Sequence, residues 1–144
     1  WQKIDKLIPL TDLFISDLKI MDPQLHRLYT GAGNQLILDN LKRLVESGSS
    51  LILRIPVIPG INNDMQNIAA SADFILNELH GNVRTLQLLS FMRLGEEKYR
   101  SLGLPYPMEG LRFRRSTFQK QVEAFAEYFN QRGIHCVVGT REKE

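Results

Sequence analysis

The sequence predicts an α/β protein with a mostly parallel sheet. Three observations carry that expectation. Short apolar runs at 13–19, 51–57, 85–89 and 134–138 read as strands, and segments of helical periodicity alternate with them. The spacing between successive runs is long enough for β–α–β crossovers, which make neighbouring strands parallel. The run at 51–57 is apolar at every position except Arg54, the pattern of a strand covered on both faces.

Each element has a local reason. Trp1-Gln2-Lys3-Ile4-Asp5-Lys6-Leu7-Ile8 reads as a helical stub with no cap and no initiator methionine, as expected of a piece of a longer protein. Pro9 breaks it, and the first strand follows at 13–19. Asp22-Pro23 is a helix start, a cap residue followed by proline at the first position, and the helix runs to about Tyr29. Asn34 is placed to cap the next helix, whose Ile37, Leu41, Leu44 and Val45 recur at helical spacing until Gly48. After the strand at 51–57, Pro59-Gly60 turns the chain. Asn63 is placed to cap a helix over 64–79, with Ile68, Ala72, Ile75, Leu76 and Leu79 as its buried stripe. A helical turn is expected around 96–102 after the third strand, and 103–115 is irregular. Ser116-Thr117-Phe118-Gln119 fits a capping box. Phe118, Val122, Phe125, Ala126 and Phe129 then line one side of a helix that Gly133 ends. Residues 1–144 are expected to form a single domain. Three or four strands cannot close a barrel, so the sheet is either small and open or part of a larger barrel.

The charges inside the apolar strands are the candidates for chemistry. Side chains alternate along a strand, so Leu13, Ile15, Asp17 and Lys19 share a face, and two opposite charges end an apolar row. Ligands of parallel α/β folds bind at the carboxyl ends of strands, where Asp17 and Lys19 fall. Arg54 cannot shed its charge and needs an acid, either Asp17 on the neighbouring strand or a ligand carboxylate. A structural ion pair explains Asp17 with Lys19 or with Arg54 equally well at this level. Met92 continues the row of Leu86, Leu88 and Ser90 as core or pocket wall.

Several function classes are excluded or disfavoured. A net charge of +2 is too small to argue for nucleic acid or a membrane surface, and Arg112, Arg114 and Arg115 read as a solvated loop. One cysteine, Cys136, rules out an internal disulfide and any metal cluster held by several cysteines of this chain, and points to a reducing cytoplasm. There is no apolar run of bilayer-spanning length. His26, His80 and His135 lack partners at metal-ligand spacing and read as helix-surface or strand-end residues. Thr30-Gly31-Ala32-Gly33-Asn34 is not a dinucleotide fingerprint, since no strand directly precedes it.

Three segments carry a family resemblance. The first is Asp17-Leu18-Lys19-Ile20-Met21-Asp22, followed by His26, Thr30-Gly31, Asn34 and Ile37-Leu38-Asp39-Asn40-Leu41. The second is Ile52-Leu53-Arg54-Ile55-Pro56-Val57-Ile58-Pro59-Gly60-Ile61-Asn62. The third is Leu88-Leu89-Ser90-Phe91-Met92-Arg93-Leu94-Gly95-Glu96-Glu97-Lys98-Tyr99, with Leu102-Gly103 after it. In this order and spacing, over 12–103, they resemble the glycyl radical enzyme activating enzymes, the pyruvate formate-lyase-activating group of radical S-adenosylmethionine proteins.

The resemblance implies the C-terminal half of a partial (β/α)6 radical S-adenosylmethionine barrel, holding its last three barrel strands. It implies S-adenosylmethionine and a [4Fe-4S] cluster bound by a Cys-x-x-x-Cys-x-x-Cys loop in the full-length parent. A 5′-deoxyadenosyl radical then takes a hydrogen atom from a glycine of a partner glycyl radical enzyme, with a flavodoxin-like electron donor. Carried onto this sequence, Asp17, Lys19 and Arg54 resemble the strand residues that contact S-adenosylmethionine. Where many members read Pro-Tyr-His, this chain reads Ser90-Phe91-Met92, so Met92 stands for the histidine that lines the cofactor pocket. The cluster-binding cysteines lie outside this sequence, so the chain alone is expected to hold neither cofactor, to carry no catalytic or metal-ligating residue, and to be inactive. Two rivals are an aldolase-type barrel with a Schiff base on Lys19 and a non-catalytic α/β interaction module.

Overall fold

The computed structural model describes residues 1–140. Four strands, β1 (Phe14–Asp17), β2 (Leu51–Val57), β3 (Thr85–Ser90) and β4 (Cys136–Val138), form one sheet in the order β1-β2-β3-β4. Every neighbouring pair is parallel. The sheet has one strand more than the three that the resemblance implies. Among the described residues six α-helices and a short 3-10 turn, Ile8–Leu10, accompany it: α1 (Gln2–Asp5), α2 (Pro23–Thr30), α3 (Gln35–Glu46), α4 (Met65–Asp73), α5 (Glu96–Ser101) and α6 (Arg115–Gln131). A π-helical segment, Phe74–Glu78, continues α4 to where the predicted helix ends.

The two faces of the sheet differ in kind. Leu51, Leu53, Ile55 and Val57 of β2, Leu86 and Leu88 of β3, and Cys136 of β4 join one apolar core. Leu41 and Val45 of α3, Ile68 and Ala72 of α4, Ile75 after it, and Phe118, Val122, Phe125 and Phe129 of α6 fill the same core. The crossover helices therefore cover one face. Strand alternation puts Ile15, Asp17, Ile52, Arg54, Pro56, Thr85, Gln87 and Val137 on the other. Ile15 there is 50% exposed. No residue of β2 is exposed on either face, as its apolar run predicts, although the core helices pack on one face only. At its even positions Ile52 is buried and Arg54 and Pro56 are partly buried.

Helix starts show where local patterns mislead. Asp22 caps α2 as predicted, accepting from Gln24 N and Leu25 N at 2.8 Å each, and Gly31 closes α2 at φ +83°. Asn34 occupies the cap position of α3, but its side chain makes no cap bond. It donates instead to Ile20 O and Met21 O. Asp64, not Asn63, caps α4 by accepting from Asn67 N at 2.8 Å, while Asn63 reaches Gln121 on α6. The capping box at 116–119 does not form: α6 begins at Arg115, and Gln119 accepts from Ser90 Oγ on β3 at 2.9 Å. His26 is buried rather than at the surface. Its Nδ1 must carry a proton, because it donates to the carbonyl of Ala32 at 2.7 Å and so holds the loop between α2 and α3.

Candidate functional site

A cavity of about 220 Å³ opens at the carboxyl ends of β1 and β2. Asp17, Lys19, Tyr29, Pro56, Asn62 and Met108 are among its walls. Asp17 is the last residue of β1, and Leu18 N still bonds to Arg54 O at 2.8 Å, so the ladder extends one residue further. Leu18 and Ile20 are buried, and the lysine between them stands out of the core. Ligand pockets usually run from about 300 Å³ upward. This cavity is sized for part of a ligand.

Its charges are not spent on each other. Lys19 Nζ lies 3.9 Å from Asp17 Oδ2, with the two side chains 50% and 43% exposed. A pair so long and so wet contributes at most about 1 kcal/mol. Arg54 is the register partner of Asp17, and Gln87 is the register partner of Arg54, so the three form one row across β1, β2 and β3. The predicted alternative of an Arg54–Asp17 bridge is absent among the described residues: Arg54 makes no ion pair there. Its Nε donates to Gln87 Oε1 at 3.0 Å. The guanidinium is thus gripped from its stem side by a neutral acceptor. Its two terminal nitrogens have no hydrogen-bond partner among the described residues.

The structure brings Asp17 and Lys19 to one cavity, sets Arg54 level with Asp17, and puts Met92 elsewhere. Strand β3 ends at Ser90, so Met92 does not continue the Leu86–Leu88 row. It is 53% exposed and lines a separate cavity of about 430 Å³ with Ser90, Phe91, Arg115, Gln119 and Gly139. Gln87 was not anticipated from the sequence. The alternation Thr85-Leu86-Gln87-Leu88 was the available signal, since it marks a strand with one polar face.

The residues present do not suit a metal cluster. Among the described residues no group of three His, Cys, Asp or Glu could hold a metal ion. Cys136 lies in the helix-covered core, and burial pushes its thiol up to about 12, away from the thiolate form that ligates metals. No helix is long and apolar enough to cross a membrane, among the described residues.

The fold and sequence have known counterparts. No family model matches the chain. It is 61% identical over 143 residues, 99% of its length, to the (2S)-3-sulfopropanediol dehydratase activating enzyme of Klebsiella oxytoca, covering 45% of that protein. It is 34% identical over 94% of its length to the 4-hydroxyphenylacetate decarboxylase activating enzyme of Clostridioides difficile, covering 42% of it. With the pyruvate formate-lyase-activating enzyme of Streptococcus mutans the identity is 29% over 88% of this chain and 50% of that protein. The chain therefore spans about half the length of these relatives or somewhat less. A crystal structure of a domain of pyruvate-formate lyase-activating enzyme from Bacteroides vulgatus superposes with a TM-score of 0.70 at 25% identity, covering 96% of this chain and 74% of that one. Over nearly its whole length, the chain is homologous to the glycyl radical enzyme activating enzymes.

Proposed function

We propose that this chain is the part of a radical S-adenosylmethionine activase whose strand ends hold the cofactor, with Asp17, Lys19 and Arg54 as its contacts. One observation supports this above the others. Asp17 and Lys19 line one cavity at the carboxyl end of a parallel sheet, Arg54 stands level with Asp17 on the next strand, and among the described residues their single ion pair is the long, half-exposed Asp17–Lys19 contact. S-adenosylmethionine is a zwitterion carrying a sulfonium, and these residues fit it. Lys19 and the free edge of Arg54 are donors for a carboxylate. Asp17 offers acceptor oxygens to cationic or hydroxyl groups. In the parent, Asp17, Lys19 and Arg54 would hold S-adenosylmethionine, which would supply radical hydrogen-abstraction chemistry toward a glycine of the partner enzyme. The role of this chain is to bind and orient. Met92 joins the contact set only through a ligand that reaches the second cavity.

The [4Fe-4S] cluster does not fit the residues of this chain, and we assign it to the remaining length of the parent. On this reading the parent acts in the cytoplasm on a glycyl radical enzyme, takes its electron from a flavodoxin-like donor, and loses activity when reduced to this single domain. The aldolase rival is disfavoured by the same geometry, since a Schiff-base lysine needs a desolvated amine and Lys19 is 50% exposed.

Calorimetry with S-adenosylmethionine on the reconstituted parent tests the reading. Lys19→Ala and Arg54→Ala each remove a charge-assisted hydrogen bond, a loss of about 1.5–3 kcal/mol or roughly ten- to a hundredfold in affinity. Unchanged affinity in both variants rejects the site. A parent gene without a Cys-x-x-x-Cys-x-x-Cys stretch rejects the activity.

A further inference from the structure

We propose that three buried asparagines, Asn34, Asn62 and Asn67, are positioning residues that fix the backbone of Lys19 and so aim its amine into the cavity. The inference rests on the reading of that cavity given above.

The stretch between β1 and α2, Lys19-Ile20-Met21, belongs to neither a strand nor a helix. Its neighbours Leu18 and Ile20 are in the protein interior. Backbone groups there are partly withdrawn from water and need protein partners. Each partner is an asparagine side chain from a different element. Asn62, in the loop after β2, donates to Lys19 O at 2.8 Å. Asn34, at the start of α3, donates to Ile20 O at 3.0 Å and Met21 O at 2.7 Å. Asn67, in the first turn of α4, accepts from Met21 N at 2.8 Å. The three are 2–7% exposed. Four backbone polar groups of this irregular segment, Lys19 O, Ile20 O, Met21 N and Met21 O, are thus satisfied by side chains, a more elaborate arrangement than closing a loop requires.

Asn62 is the centre of the arrangement. Besides Lys19 O it donates to Pro56 O at 2.8 Å and accepts from Ile58 N at 2.7 Å. One amide therefore ties the exit of β1 to the exit of β2. Those two exits frame the cavity, and Asn62 itself forms part of its wall. Asn67 backs it by donating to Asn62 O at 3.4 Å. With Leu18 and Ile20 anchored in the core, the direction of the main chain at Lys19 dictates where its side chain projects. Among the described residues the only ion pair of the lysine is the one with Asp17, 3.9 Å away and 43% exposed.

A double-mutant cycle in the full-length parent separates positioning from mere structural support. The reading is the dissociation constant for S-adenosylmethionine by calorimetry, with circular dichroism melting as the fold control. Asn62→Ala should raise the constant roughly tenfold in the wild-type background and leave it unchanged in the Lys19→Ala background, because its effect passes through the lysine. Losses that simply add in the double variant overturn the positioning role while leaving the cavity reading intact. If Lys19→Ala alone has no effect, this inference falls because the lysine is not a ligand contact, and the cavity reading falls with it only if Arg54→Ala is also without effect. Should Asn62→Ala fail to fold, Asn67→Ala carries the same cycle, with a smaller loss because its bond lies two residues beyond Lys19, and the same additive outcome overturns it.

Discussion

Raising the pH above 9 should weaken the native state through Cys136, whose thiol is buried. The thiol sits in the helix-covered core, and burial pushes it from 9.0 up to about 12. A thiol is neutral when protonated, so burial favours the protonated form. Below pH 9 both folded and unfolded chains keep the proton, and the stabilisation is fully present. Between 9 and 12 the unfolded chain releases its proton while the folded chain retains it, so the unfolded state gains and stability falls. For an unfolded value near 9 the loss is roughly 1 kcal/mol at pH 10, roughly 3 kcal/mol at pH 11, and levels off near 4 kcal/mol past pH 12. Other groups titrate in this range, and Cys136→Val isolates the thiol, since valine suits the apolar site and carries no proton. Urea unfolding of both proteins at pH 8, 9 and 10 measures the difference. The gap between the two stabilities should shift by roughly 1 kcal/mol from pH 8 to pH 10. Parallel profiles would refute the burial argument and reopen Cys136 as a reactive or metal-binding thiol.

Other outcomes follow from the same geometry. Phe129→Ala, at a fully buried position on α6, should cost about 3–5 kcal/mol in chemical denaturation. A cost under 1 kcal/mol would mean that α6 is not seated on the sheet as described. Gly31→Ala should cost about 1 kcal/mol because φ is +83° there; the space around it is open, so a much larger loss in thermal melting would contradict the assignment to backbone strain alone. Met92→Ala in the parent should weaken S-adenosylmethionine binding less than Lys19→Ala does, since Met92 lines a different cavity. An equal loss would show that the ligand bridges both cavities.

The element order was legible in the sequence because it depends on periodicity, and periodicity is local. The strands at 51–57 and 85–89 and the apolar stripes of α3 and α6 emerged nearly as read. The neighbourhood of Asp17 and Arg54 was legible too, since consecutive strands of a β–α–β unit tend to pair. What failed was the destination of short polar side chains. Asparagine at 34 or 63 can cap the helix beside it or reach a distant carbonyl, and the local sequence is the same in both cases. Asn34 reaches 14 residues back to Ile20 and Asn63 reaches 58 residues on to Gln121, and tertiary packing alone makes those choices. His26 misled for a similar reason: its partner is the carbonyl of Ala32, which the turn closed by Gly31 brings back toward the helix. Met92 was misplaced by extending a strand's alternation two residues past its end at Ser90.

The two faces of the sheet divide the work, and the Asp17–Arg54–Gln87 row shows how. Had Asp17 closed on Arg54, the pair would have been satisfied internally, and a ligand would have had to break it before binding. The register made that pairing available, with Asp17 and Arg54 directly opposite on adjacent strands. Instead a buried, neutral amide holds Arg54 by its Nε, and Asp17 leans toward a lysine 3.9 Å away. A neutral acceptor fixes the direction of the guanidinium without cancelling its charge, and a half-exposed ion pair gives up little when it opens. The face without helices therefore keeps its charges in place while leaving them unspent. The stability that tolerates this arrangement comes from the opposite face, where α3, α4 and α6 bury an unbroken apolar layer.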